Sequence, residues 1–82
     1  MRFLNGDEQT ALRNVQAYFT PDEAVELCSA LSKLLANPEA NNHEHVFSKD
    51  GSREISVSLI TSAKLQDLSG YSAAEQKMFK ER

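Results

Sequence analysis

The stretch TPDEAVELCSALSKLLANP, residues 20–38, leaves little freedom in what it can become. Thr20 stands where a helix N-cap belongs, Pro21 at the first helical position and Glu23 at the third. In that arrangement the Thr20 hydroxyl and the Glu23 carboxylate each satisfy a backbone N–H that no helical carbonyl reaches. Asp22, Glu23 and Glu26 suit the positive end of the helix dipole, and Lys33 suits the negative end. At about 100° per residue, Ala24, Leu27, Cys28, Leu31, Leu34 and Leu35 fall on one arc, opposite Asp22, Glu26, Ser29 and Lys33. Asn37-Pro38 then stops the helix. We expect a helix over residues 21–36 with one face for a core and the other for water. Cys28 is expected on the inner side.

The second constraint follows directly. HEHVFS and REISVSLI flank Lys49-Asp50-Gly51, and Asp-Gly between alternating segments is a strong hairpin signal. Ile55, Val57 and Leu59 alternate with Glu54, Ser56 and Ser58, as in an antiparallel sheet covered on one face only. The helix is the natural cover. A two-residue Asp50-Gly51 loop pairs Lys49 with Ser52 and sets Val46 beside Ile55 on the core side. His43, His45 and Phe47 then face outward, near Ser58, Ser56 and Glu54. A three-residue loop ending in a left-handed Gly51 shifts the register by one and turns the histidines inward. The first register is preferred.

RNVQAYFT, residues 13–20, reads as a strand with Val15, Ala17 and Phe19 on one face. A helical stripe of Leu12, Val15 and Phe19 begun at Asp7 is the competing reading. MRFL offers a short edge strand. TSAKLQDLSG suggests a turn of helix closed by Gly70. Ser72 and Glu75 form a second possible capping box, opening a terminal helix through Met78 and Phe79. The expected fold class is α+β in a single domain spanning residues 1–82. It has a β-α-β-β order, a small antiparallel sheet with the main helix on one face, and a short C-terminal helix.

Composition limits the chemistry. A chain of 82 residues has room for one small core and is marginally stable alone, so self-association or a bound group is a common supplement. Cys28 is the only cysteine; this excludes an internal disulfide and a cysteine-rich zinc site within one chain. No apolar run approaches a membrane span and no signal-peptide core is visible, so a cytosolic, soluble protein is expected, with no membrane partner. The net charge is −3. Residues 1–45 carry three basic and seven acidic side chains and residues 46–82 six and five, so neither half supplies a basic patch for nucleic acid.

His43 and His45 are the natural candidates for chemistry, because strand residues two apart share a face. Two imidazoles fall short of the three or four protein ligands a zinc site needs. Glu54 is the one carboxylate expected on their face, and Glu44 points the other way. Cys28 on the apolar arc reads as a small core hydrophobe rather than a nucleophile paired with a histidine. Gly6, Gly51 and Gly70 stand beside turn residues and build no phosphate loop. No cofactor and no catalytic residue is implied.

The residues favour a non-enzymatic protein-interaction module of regulator or inhibitor type. Its partner is an unidentified protein, itself, or both, with a homodimer expected. Its surface is the outer hairpin face, His43, His45, Phe47, Glu54, Ser56, Ser58 and Ile60. The alternative is a metal or small-ligand site on His43, His45 and Glu54, one version of which is completed across a dimer interface.

Overall fold

The structure, a computed structural model, describes residues 1–81. Its elements run β1 (Phe3–Asn5), β2 (Thr10–Leu12), α1 (Pro21–Leu35), β3 (His43–Phe47), β4 (Glu54–Ser58), α2 (Ser62–Gln66) and α3 (Ala73–Lys80). The class is α+β, with one main helix and a short C-terminal helix, as the patterning implied. The strands form two separate antiparallel pairs, β1-β2 and β3-β4, rather than one sheet. Two compact units result: residues 18–62, and residues 1–17 together with 63–81.

In the contiguous unit, α1 begins as its sequence dictates. The Thr20 hydroxyl accepts from the Glu23 N–H at 3.2 Å, and the Thr20 N–H donates to the Glu23 carboxylate at 2.9 Å. Such a cap contributes about 1 kcal/mol. The helix packs across the β3-β4 ribbon, and Ala30, Leu34 and Val46 are buried between them. Ile55, Val57 and Leu27 are half-buried. At the other end, the Thr61 hydroxyl donates to the Glu39 carboxylate at 2.8 Å and ties the loop after α1 to the chain leaving β4.

The side α1 turns inward departs from expectation. The line toward the ribbon runs through Leu27, Ala30 and Leu34. At about 100° per residue this line is roughly 70° from the centre of the apolar arc. Leu31 and Leu35 therefore remain 39% and 63% exposed. Cys28, expected in the core, is exposed. A ribbon of two strands is narrower than the arc, so it covers one flank and leaves the other in solvent.

The second unit is built from the chain's two ends. Asn5 pairs with Thr10, and the Asn5 side-chain oxygen accepts from the Asp7 and Glu8 N–H groups at 3.0 Å each. Gln9 takes a left-handed conformation, φ 56°, and its N–H donates to the Asn5 carbonyl at 2.8 Å. Helix α3 opens with the expected second capping box, Ser72 with Glu75, and packs on β2. Met78 is buried, and Tyr71 meets Phe79 edge to face at 4.9 Å.

Two local expectations are corrected. Residues 13–20 form no strand; they run outside any ladder, all exposed, and the strand of this region is β2. No strand ladder includes them, and ladder pairing is what stabilises a β-prone segment as a strand. Helix α2 ends at Gln66, and Gly70 is not left-handed. The chain turns instead over residues 68–71, where the Tyr71 N–H donates to the Leu68 carbonyl at 3.0 Å. Just before it, the Asp67 carboxylate accepts the Ser69 N–H at 3.1 Å and lies below its ordinary pKa through the Ser69 hydroxyl and N–H.

Candidate functional site: the outer face of the hairpin

The β3-β4 ladder pairs His43 with Ser58, His45 with Ser56, Val46 with Ile55 and Phe47 with Glu54. This is the preferred register, reached by a different turn. Residues 49–52 form a four-residue loop closed by the Ser48 N–H on the Arg53 carbonyl at 2.9 Å. A two-residue primed turn would need left-handed backbone at Asp50 as well as Gly51. Gly51 alone takes it, at φ 76°. Asp50 organises the loop with its carboxylate, which accepts from the Ser52 N–H at 3.0 Å and from the Ser48 and Ser52 hydroxyls at 2.7 Å each. Those donors, the Ser52 N–H foremost, hold the Asp50 carboxyl far below the usual carboxylate range.

This register sends alternate side chains to opposite sides. Val46 and Glu44 turn toward α1, where Val46 is buried and Glu44 half-buried. His43, His45, Phe47, Glu54, Ser56 and Ser58 are all exposed. They form one outer face, as the sequence pattern placed them, and Ile60 just beyond β4 is 37% exposed.

The three rings form a row along β3. The His43 and His45 rings meet edge to face at 4.9 Å, and His45 stacks against Phe47 at 5.9 Å with 19° between planes. His45 Nδ1 lies 2.9 Å from Ser56 Oγ and 3.1 Å from Glu54 Oε2. A carboxylate only accepts, so the contact with Glu54 is a hydrogen bond when Nδ1 carries the proton. Glu54 thus serves to orient the His45 ring rather than converging with both imidazoles on a common point. Among the described residues, no group of three His, Cys, Asp or Glu side chains is placed to hold a metal ion.

Sequence reasoning found the face but missed the Glu54–His45 diagonal, which depends on side-chain rotamers. It also missed a small groove between α1 and β3, lined by Glu26, Ser29, Ala30, Lys33, Glu44 and His45. The signal for that groove was present: Glu26 and Lys33 share the polar side of α1, and Glu44 points toward the helix. Its lining carries both charges, two carboxylates and a lysine, so it presents no site of a single sign.

Among the described residues, no helix is long and apolar enough to cross a membrane. No protein-family model, no curated protein and no solved structure matches the chain.

Proposed function

We propose that the chain is a small, cytosolic, non-enzymatic protein-interaction module of regulator or inhibitor type, acting through the outer face of the β3-β4 hairpin. The observation that carries this reading is the exposed row His43, His45 and Phe47 beside Glu54, Ser56 and Ser58. Aromatic rings fixed by mutual stacking offer contact area at low cost in conformational entropy, and hydroxyls beside them supply hydrogen bonds. Both outer edges of the two-stranded ribbon also retain strand-pairing capacity. The lone thiol, Cys28, suits a reducing compartment, and the negative net charge supports a protein partner over nucleic acid.

The test is affinity capture from native extract with three baits: the wild type, a His45→Ala/Phe47→Ser variant and a Lys33→Ala variant. The reading expects a protein retained by the wild type and Lys33→Ala baits and lost from the double variant. A partner retained equally by all three, with the double variant still folded by circular dichroism, would overturn it.

A further inference from the structure

We propose that His43 and His45 together bind one divalent copper ion on the outer face of the hairpin, with Glu54 as the positioning residue behind His45. The claim concerns metal binding and does not rest on the protein contact proposed for the same face.

His45 already has the form that a metal ligand takes. Its Nδ1 lies 3.1 Å from the Glu54 carboxylate and 2.9 Å from the Ser56 hydroxyl. A carboxylate only accepts, so the proton sits on Nδ1 and the neutral ring keeps its lone pair on Nε2. Histidines that ligate metals almost always donate the other ring N–H to a carboxylate, carbonyl or water. That bond fixes the tautomer and the ring, and raises the basicity of the ligating nitrogen. The Glu54 charge also favours a cation held nearby.

The second support is spacing. A ring nitrogen about 2.0 Å from a metal ion sets the imidazole centroid roughly 3.2 Å from that ion. Two such rings stand about 4.5 Å apart at adjacent square-planar corners and about 5.2 Å apart at tetrahedral ones. The His43 and His45 centroids are 4.9 Å apart, inside that interval. Their planes lie at 82°, edge to face, so one nitrogen has to turn onto the shared point. His43 makes that turn about its Cβ–Cγ bond, a soft torsion in histidine, while Glu54 and Ser56 hold His45.

The donor set then selects the metal. Among the described residues no third histidine, cysteine or carboxylate joins the pair as a ligand, so water fills the remaining positions. Zinc sites draw on three or four protein ligands. Divalent copper stands highest in the affinity order of first-row metals, and two nitrogens with water complete its tetragonal geometry. Cys28 lies on α1, which packs against the other face of the ribbon, so no thiolate enters. The water-filled positions leave the ion open to exchange.

Titration of the full chain with copper(II) at micromolar concentration tests the site, read by calorimetry and electron paramagnetic resonance. The wild type should take up one ion per chain, with hyperfine splitting from two nitrogens. His43→Ala and His45→Ala should each weaken binding and leave a single nitrogen. Glu54→Gln should keep both nitrogens yet bind about tenfold more weakly, the scale of a lost outer partner. Cys28→Ser should match the wild type. Every variant should keep the wild-type circular dichroism, because all four side chains are exposed. Absence of uptake by the wild type overturns the proposal, and so does uptake undiminished in the His43→Ala/His45→Ala double variant. A single nitrogen in the wild type, or half an ion per chain, overturns it as well. An unchanged affinity in Glu54→Gln overturns the role given to Glu54.

Discussion

His45 and Glu54 meet diagonally across the β3-β4 ladder, one step away from the direct pair His45–Ser56, with Nδ1 and Oε2 at 3.1 Å. The two side chains are 40% and 46% exposed, so water screens the pair. A double-mutant cycle with His45→Ala and Glu54→Ala, read by urea unfolding, should give a coupling of about 0.2–1 kcal/mol. The coupling should shrink in molar salt.

Because Glu54 is engaged with His45 rather than converging with both imidazoles, zinc has no three-ligand set to occupy among the described residues. Adding zinc at equimolar ratio should leave the melting temperature unchanged. A rise that His45→Ala abolishes would revive a metal site on His43, His45 and Glu54.

Leu34 is 5% exposed, under the helix and against the ribbon. Leu34→Ala should cost about 2–5 kcal/mol, enough to unfold much of a domain this small. Lys33→Ala, one residue away on the exposed side, should change stability by no more than about 0.5 kcal/mol. Thermal melts of the two variants check the direction in which α1 faces.

Gly51 and Gly70 separate backbone freedom from space. An added Cβ meets nothing within 4 Å at either position, but Gly51 alone has a positive φ, 76°. Gly51→Ala should cost about 1–2 kcal/mol, whereas Gly70→Ala should be neutral or slightly stabilising through the unfolded chain.

The Asp50 carboxyl is held far below its ordinary value of 3.8 by the Ser52 N–H and the Ser48 and Ser52 hydroxyls. A depressed folded-state pKa gives a stability contribution that is complete above the unfolded value and is lost as pH falls through the folded one. The hairpin turn should therefore stay intact at pH 4 and loosen only well below it. Asp50→Asn should remove that acid dependence. Amide exchange of Ser52 against pH reads both.

What the sequence disclosed was mostly local. Both capping boxes depend on residues three apart, and the outward set on β3 depends on strict alternation, so Thr20–Glu23, Ser72–Glu75 and the histidine face were legible from spacing alone. The pairing of residues 3–5 with 10–12 was less so, because its turn rests on the Asn5 side chain and a left-handed Gln9 rather than on Gly6. Residues 13–20 carry β-prone side chains, but a strand needs a partner, and partner choice is not local. Six apolar residues on α1 spread over roughly 120° at about 100° per residue, which leaves the core line unspecified. The width of the ribbon then selected Leu27, Ala30 and Leu34.

The division of the chain at residues 18 and 62 also sets an order of assembly. Everything in the middle unit joins neighbours in sequence, a helix to the hairpin that follows it, and low contact order favours rapid formation. The terminal unit must bring β2 to α3 across some sixty positions, with the loop-closure entropy that entails. Nascent chain emerging N-terminus first can therefore complete residues 18–62 while β1-β2 waits for α3 to be made.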